Sequence, residues 1–420
     1  MTTRFARGAQ VIATLAVAAV AFTGCAGSSD PGPDDAGTEL NFVTFTGGDA
    51  GIKYENLIAA FEDANPGVKV RLEILAGDDT YNSILTSRIA AGTAPDVFEV
   101  LNNDTSQFVE ADLLADLSDQ SWVEHQIDTV RNLADQSDGR TYSFVPEVNS
   151  GGVFYNTDIF EEVGVEVPET WDEFLDVVET IRAAGITPLS VGGKDGWTLQ
   201  TQWTQMMRAS SNPEEGALLN SGELAYSEST TAAIMPAFAE LVAAGGFDPN
   251  ATGVDWPSSA NDFALGRTAM MIQGTVALPA IRTAAPDGPF SMFPMPFAAE
   301  GKDAPLALAP AATQAVPANA AHQELAKRFL EFWASPEVHT KYLNDAAALS
   351  SFTTSASADI DPAFETMSEL LPTRGIDIAG FVRPTPAVNT AIQTGMQSIM
   401  VGTATADEVL ESIDAAQQQQ

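Results

Sequence analysis

The chain has 420 residues, a formal net charge of -38 at pH 7 and one cysteine. This acidic balance excludes nucleic acid and anionic lipid surfaces as electrostatic partners, but it says little about small neutral ligands. The length suffices for more than one domain, and a single cysteine leaves no intramolecular disulfide framework.

The N-terminus has the pattern of a secretory signal peptide over residues 1–24. Two arginines precede the apolar run VIATLAVAAVAF, which is too short for a comfortable membrane span. The following FTGC resembles the bacterial lipobox, with Phe22 where leucine is usual. This motif implies that lipid is attached to the thiol of Cys25, which then has no redox or metal role. The alternative is a signal peptide with an incidental cysteine.

Residues 25–37, with the sequence CAGSSDPGPDDAG, are predicted to form a lipidated flexible tether. At the other end, residues 417–420 continue a low-complexity glutamine run and are predicted to be a disordered tail. A late apolar segment, APLALAPAATQAVPANAA, contains prolines that disqualify it as a membrane span.

The folded part begins with alternating strand and helix patterns. ELNFVTFT predicts a buried strand, and Tyr54, Leu57, Ile58 and Phe61 follow helical spacing. VKVRLEIL predicts a strand with one buried face, a second helix follows, and PDVFEVL predicts a third strand. This order indicates an α/β fold with a largely parallel sheet. In such sheets ligands bind at the carboxyl ends of strands, where the loops GGDAG and NNDTS lie.

Later segments give further local signals. Thr170 and Glu173 fit a capping box before an amphipathic helix, and Gly185 is a plausible stop for it. NDFALGRTAMMIQGT predicts a helix end, a glycine turn and a buried strand, and HQELAKRFLEFWASPE predicts an amphipathic helix. His322 and His339 are predicted to lie on helix surfaces.

Four segments, in this order, resemble one family. AAGTAPDVFEV, GVFYNTDIFEEVGVEVPETWDEF, FALGRTAMMIQGT and AKRFLEFWASPE are similar to segments of bacterial extracellular solute-binding proteins of the sugar-binding class, the group that includes maltose-binding protein. The resemblance extends from Cys25 to about Glu337 and is looser in the last part of the chain. It implies a lipoprotein with a two-lobed, type II periplasmic-binding-protein-like fold and a ligand cleft between the lobes.

The family topology implies how the chain divides. The first lobe is predicted over residues 38–147 and 306–352, and the second over residues 148–305 and 353–416. The resemblance also implies a sugar ligand, a membrane permease and a cytoplasmic ATPase as partners, for a monomer anchored on the extracellular face of the membrane. No cofactor and no metal are expected. The chain has no phosphate-binding loop of the G-x-x-x-x-G-K-[ST] type.

A site for sugar needs carboxylates and amides for the hydroxyls and an aromatic ring for the C–H faces. Residues of these types at strand ends and lobe junctions are the candidates for ligand binding: Asp49, Asn102, Asn103, Asn149, Trp197, Gln273, Thr275 and Arg383. Trp197 is the preferred stacking residue, because it follows a glycine-rich loop, and Trp256 is a weaker candidate. Each of these residues has a structural alternative, as a turn, core or ion-pair residue.

The sequence departs from the family after AMMIQG, where an aromatic residue frequently stacks on sugar. Here Thr275 and Val276 occupy that neighbourhood. The departure puts a doubly stacked, maltose-like binding mode in doubt.

Two other function classes stay open. The same two-lobed receptor could take a polyamine, an amino acid or another polar solute. A secreted glycan-processing enzyme is disfavoured, since neither a G-x-S-x-G elbow nor H-E-x-x-H spacing is present. We therefore predict a binding protein and no enzyme.

Overall fold

The structure is a computed structural model and describes residues 38–77, 80–100, 105–134, 139–210, 212–299, 301–354, 360–377 and 382–418. The strands are β1 (Thr38–Thr44), β2 (Val68–Ile74), β3 (Val97–Glu99), β4 (Phe144–Asn149), β5 (Gly151–Asn156), β6 (Thr187–Leu189), β7 (Thr268–Gly274), β8 (Phe290–Phe293), β9 (Leu306–Ala315), β10 (Leu349–Ser350) and β11 (Gly375–Asp377). The helices are α1 (Ile52–Ala64), α2 (Tyr81–Ala90), α3 (Ser106–Glu110), α4 (Asp128–Ala134), α5 (Thr157–Val163), α6 (Trp171–Ala183), α7 (Gly196–Ser210), α8 (Pro213–Ser221), α9 (Ile234–Ala243), α10 (Trp256–Ala264), α11 (Leu278–Ala284), α12 (Gln323–Ala334), α13 (Pro336–Ala346), α14 (Glu365–Arg374), α15 (Pro386–Met400) and α16 (Ala406–Gln417). The predicted signal peptide and tether lie outside the described residues.

The first sheet has the strand order β10-β4-β9-β3-β1-β2, with β11 alongside β9. β1 is parallel to β2 and β3, as the alternating strand and helix patterns predict. β9 is antiparallel to β3 and to β4, so the sheet is mixed rather than largely parallel. It follows that β1, β3 and β4 run in one direction, and their carboxyl ends lie on one edge of the sheet.

The second sheet has the order β6-β7-β5-β8. β5 is antiparallel to β7 and β8, whereas β6 is parallel to β7. Between β4 of the first sheet and β5 of the second the chain has one residue, Ser150. Gly151, which opens β5, pairs with Gly274, which ends β7. The carboxyl end of β7 therefore lies beside this crossing, which we define as residues 149–151.

Helices cover both faces of the second sheet. One core joins Val153 and Ile272 to α6, α7, α9, α15 and α16. The other joins Phe154 and Met271 to α10, α11 and α14, and it continues to Val148 of β4 in the first sheet. Because successive side chains of a strand point to opposite faces, this alternation places the two helix layers on opposite sides. The core under the crossing is therefore shared by strands of both sheets.

The local stop and start signals are confirmed. Thr170 and Glu173 form the capping box at the start of α6. Gly185 and Gly266 adopt φ angles of +82° and +67° directly after α6 and α10, a conformation that L side chains rarely adopt. These residues therefore end their helices where the sequence predicts.

Two expectations from the sequence differ from the structure. His339 is completely buried rather than on a helix surface, and its Nε2 donates a hydrogen bond to the Pro146 carbonyl over 2.6 Å. Gln417 belongs to α16 rather than to a disordered tail, because its buried amide donates to the carbonyls of Leu219 and Leu224. Residues 419–420 lie outside the described residues.

Candidate functional site

The crossing brings together two of the predicted site residues, Asn149 and Thr275. Thr275 follows β7 and is completely buried, and its hydroxyl donates to the side-chain oxygen of Asn149 over 3.2 Å. The same hydroxyl accepts a hydrogen bond from the Ser150 N–H over 3.3 Å, and the Thr275 N–H donates to the Ser150 carbonyl over 2.9 Å. These bonds fix the backbone where the chain passes from one sheet to the other.

Gln273 lies close by, in register with Gly152 of β5. It is buried, and its Oε1 accepts a hydrogen bond from the N–H of Gly274 over 3.0 Å. The structure thus places Gln273 near the crossing, with its side-chain oxygen bonded to its own strand.

Gln205 of α7 also reaches the crossing, and the sequence analysis missed it. A Cβ at Gly151 would lie 1.7 Å from the Gln205 Oε1, so the amide packs directly on the Gly151 backbone and would have to move to admit a larger residue there. Gln205 is buried, and its amide has no hydrogen-bond partner among the described residues. Its signal in the sequence is a polar residue on the side of a helix that also buries Leu199 and Met206.

Trp197 and Trp256 form an aromatic pair beyond the carboxyl end of β6. They are near the first residues of α7 and α10, the helices on the two faces of the second sheet. Their ring centroids are 5.3 Å apart at an interplanar angle of 59°. Trp197 is 45% exposed, so part of its side chain is accessible to solvent.

The loop that carries Trp197 is held tightly. The N–H of Trp256 donates to the Asp195 carboxylate over 2.7 Å. A Cβ at Gly192 would lie 2.8 Å from the Trp256 nitrogen, and one at Gly193 would lie 2.8 Å from the Ala251 carbonyl oxygen. The two glycines therefore let the loops meet at backbone distance, which positions the indole pair.

The carboxyl edge of the first sheet carries charged groups that are paired. Lys53, in the first turn of α1, lies 2.6 Å from a carboxylate oxygen of Glu147 of β4, whose side chain is buried, while that of Lys53 is 11% exposed. Glu99, at the end of β3, accepts hydrogen bonds from the hydroxyls of Thr44 and Thr46. Burial raises the pKa of Glu99, while the Thr44 hydroxyl and the Lys53 charge act against this rise.

Of four other predicted residues, the structure describes only the backbone of Asp49. Asp49 belongs to a short turn, Gly48–Gly51, directly before α1, so its backbone lies at the carboxyl edge of the first sheet. Asn102, Asn103 and Cys25 lie outside the described residues.

Arg383 and Val276 are both exposed. The backbone N–H of Arg383 donates to the side-chain oxygen of Asn220 over 2.8 Å, which places this residue at the end of α8 rather than at the crossing. Val276 follows Thr275 and is 63% exposed. An apolar side chain thus faces solvent beside the crossing, at the point where the sequence departs from the family pattern.

A pocket of about 470 Å³ lies elsewhere, and its lining includes Thr187, Pro188 and Asp248. Thr187 begins β6, so the pocket is at the amino end of that strand, away from the crossing. In the described part of the chain, no group of His, Cys, Asp and Glu has the arrangement of a metal site. No helix there is long and apolar enough to cross a membrane.

Comparison with known proteins identifies the family. Residues 47–340 match the bacterial extracellular solute-binding proteins. The chain belongs to this family. The multiple sugar-binding protein of Streptococcus mutans serotype c is 26% identical over 295 residues, which are 69% of this chain and 69% of that protein. The melibiose/raffinose/stachyose-binding protein MelE of Bacillus subtilis is 27% identical over 145 residues, or 34% of this chain and 33% of that one.

Solved structures of solute-binding proteins share the fold. The apo form of RafE from Streptococcus pneumoniae has a TM-score of 0.74 at 22% identity, covering 92% of this chain and 98% of RafE. RafE in complex with raffinose has a TM-score of 0.69 at 23% identity, covering 90% of this chain and 98% of that one. The predicted α/β fold of the two-lobed, periplasmic-binding-protein-like type is thereby confirmed.

Proposed function

We propose that this solute-binding protein is an extracellular receptor for a carbohydrate, which it delivers to an ABC-type permease. The arrangement at the crossing carries the proposal: the half-buried amide of Asn149, the buried amide of Gln205 and the hydroxyl of Thr275 lie at one end of the second sheet, and the exposed indole of Trp197 lies beyond the end of β6. Amides and hydroxyls bond sugar hydroxyls, and an indole covers the C–H face of a ring.

The binding step in this proposal is closure of two lobes around the ligand. The lobes are residues 38–147 with 306–352, and residues 148–305 with 353–416. A ligand shifts such a hinge equilibrium only as far as it binds the closed form more tightly than the open form. The permease and its ATPase then act on the closed, loaded receptor.

The proposed location is the outer face of the membrane, with a monomer held by lipid on Cys25. Removal of residues 1–24 would leave that cysteine first, and the acidic segment to residue 37 would let the folded unit stand away from the membrane. Multiple acyl chains on one residue give lasting anchorage, where a single chain is marginal. Mass spectrometry of the membrane-extracted protein tests this, since Cys25→Ser should remove the lipid and release the protein.

Calorimetric titration tests the ligand class directly. Residues 38–420 form one compact unit, so a chain that lacks residues 1–25 keeps the whole described structure. We expect saturable binding of one group of sugars among raffinose, stachyose, maltotriose, cellotriose and xylotriose, together with a rise in melting temperature. Binding of spermidine or an amino acid instead would overturn the carbohydrate assignment, and release of sugar products during incubation would overturn the non-enzymatic one.

A further inference from the structure

The helix α7 presents one partly exposed stripe to solvent. Trp197, Thr201, Thr204 and Arg208 follow each other at steps of four, three and four residues, so they share one face of the helix. Trp197 is exposed and the other three are half-buried, whereas residues on other faces, such as Leu199 and Met206, are buried. We call these four residues the α7 stripe.

Contacts made by the neighbouring faces of α7 show where this stripe lies. On one side, Gln200 donates a hydrogen bond to Asn389 of α15 and accepts one from Gln393 of the same helix. On the other side, Gln205 packs on Gly151 at the crossing. By helical geometry the α7 stripe lies between these two sides and next to Gln205. It therefore borders the crossing and runs away from it to the indole pair of Trp197 and Trp256.

Arg208, at the crossing end of the stripe, is an unpaired cation. Its Nε atom is buried and has no hydrogen-bond partner, and the described residues provide no ion pair to its guanidinium. Burial lowers the pKa of Arg208, and no carboxylate of the described residues acts against this effect. A buried donor without a partner costs free energy, so a native structure that keeps one has a reason to do so.

The composition makes this unpaired arginine unusual. The chain has 57 acidic residues and 19 lysines and arginines, so acceptors for a cation are abundant. Arg282 shows the ordinary outcome, since its guanidinium makes a forked pair with Asp361 at 2.6 and 2.7 Å. Arg208 stands instead among the threonines and amides of α7, where its donors remain free for an oxygen from outside the described chain.

We propose that the α7 stripe is the long wall of the ligand cleft and that Arg208 is a specificity-determining residue, donating hydrogen bonds to hydroxyl oxygens of an elongated neutral oligosaccharide. The inference rests on the proposed function and deepens it. Arg208 lies eleven positions after Trp197, about 16 Å along a helix, which is longer than one sugar ring. One ring stacks on Trp197 while another reaches Arg208, so a monosaccharide cannot engage both ends.

Affinity and stability together test the role of Arg208. Arg208→Met keeps the length of the side chain and removes its donors, and Arg208→Lys keeps the charge and loses the fork. We expect Arg208→Met to weaken binding of the preferred tri- or tetrasaccharide by about tenfold or more, as for loss of a charge-assisted hydrogen bond. The affinity of Arg208→Lys should lie between those of Arg208→Met and the native protein. The melting temperature of ligand-free Arg208→Met should stay equal or rise, because a half-buried charge without an ion-pair partner is replaced by an apolar group.

The control is Arg328→Met, which changes an exposed arginine of α12 and should leave affinity unchanged. An affinity of Arg208→Met within twofold of the native protein would overturn the assignment of Arg208, as would a loss of affinity accompanied by a lower melting temperature. Equal affinity for a monosaccharide and its trisaccharide would overturn the inference that the ligand is elongated and leave the proposed function intact. Binding of digalacturonate in preference to every neutral sugar would overturn the neutral ligand, and an absence of binding to any sugar would overturn the proposed function itself.

Discussion

The carboxyl edges of the two sheets differ in how their polar groups are satisfied. At the first edge, Lys53 is paired with Glu147, and Glu99 is held by two threonine hydroxyls. At the second, the amide of Gln205 and the Nε of Arg208 have no partners among the described residues, and the indole of Trp197 is exposed. Both edges occupy the position where α/β proteins bind ligands. The charged groups of the first edge thus have partners within the protein, although one carboxylate oxygen of Glu147 has none, whereas at the second edge these polar groups have no partner among the described residues.

This difference separates stability from recognition. A buried charge is tolerated in the fold only while its partner is present. Removal of that partner should therefore lower the measured free energy of unfolding. An uncompensated polar group contributes little to stability and should appear in binding experiments instead. Four substitutions test this contrast, in order of decreasing expected effect on stability.

The largest loss of stability is expected from Lys53→Met. It leaves the carboxylate of Glu147, which is 2% exposed, buried without its cation, and such a change costs about 3–5 kcal/mol of unfolding free energy. The matched control is Lys69→Met, because Lys69 pairs with Glu62 while 73% exposed, and the loss there should be below about 1 kcal/mol. Urea denaturation measures both, and equal losses would show that the first edge is not a compensated interior.

A pH-dependent loss is expected from His339. Burial lowers its pKa to about 4, so the folded protein keeps this imidazole neutral while the unfolded chain protonates near its ordinary pKa. Stability from this residue is therefore complete above the unfolded pKa and declines as the pH falls towards the folded one. Between about pH 7.5 and about pH 4.5 the decline should be on the order of 2–3 kcal/mol.

His339→Gln isolates that contribution. Glutamine keeps a donor for the Pro146 carbonyl and does not titrate, so the variant should lose less stability on acidification than the native protein. Urea unfolding at both pH values gives the comparison. Parallel pH profiles would mean that other groups account for the whole acid dependence.

Gly151→Ala, at the crossing, should affect both the stability of the protein and its affinity for sugar. The new methyl group would lie 1.7 Å from the Gln205 oxygen, so either the amide or the strand must move. Movement of the amide, which is the end of a flexible side chain, costs little, whereas overpacking that moves the strand costs about 1–3 kcal/mol, and in either case the displaced amide should weaken sugar binding. Gly253→Ala is the control, since a Cβ there meets open space. Unchanged affinity in a folded Gly151→Ala protein would remove Gln205 from the site.

Trp197→Ala should have the smallest effect on stability and a clear effect on binding. With 45% of Trp197 exposed, about half of the side chain is buried, so the unfolding free energy should fall by about 1–2 kcal/mol. Affinity should fall, and the quenching of tryptophan fluorescence by sugar should weaken. Leu265→Ala, which removes a 55% exposed side chain just beyond the other end of α10, provides the comparison. Equal affinities in the two variants would indicate that the indole pair is not a stacking surface.

Much of the fold could be predicted from local patterns. The strand and helix alternation of the first part, the capping box at Thr170 and the glycine after α10 each depend on residues close in sequence. The mixed character of the first sheet could not be predicted in this way, because β9 joins β3 and β4 from 150 or more residues away. The burial of His339 could have been predicted, since it repeats with Tyr342 and Leu343 at helical spacing on the buried side of α13.

The candidate site was predictable only where it follows a strand. Asn149 and Thr275 end or follow strands, and the structure brings them together. Gln205 and Arg208 lie inside a helix, where periodicity shows only that α7 is amphipathic. What distinguishes them is the absence of partners in three dimensions, and no spacing in the sequence encodes that property.

The exposure of Val276 has a consequence for how such receptors diversify. Its side chain is 63% exposed and follows a threonine whose hydroxyl holds the backbone of the crossing, so the scaffold at this point does not depend on what residue 276 is. Substitutions there carry little folding penalty, and each one changes the surface beside the proposed site. After gene duplication, a substitution at that single position could change the ligand specificity of one copy while its fold and its hinge stay as they are.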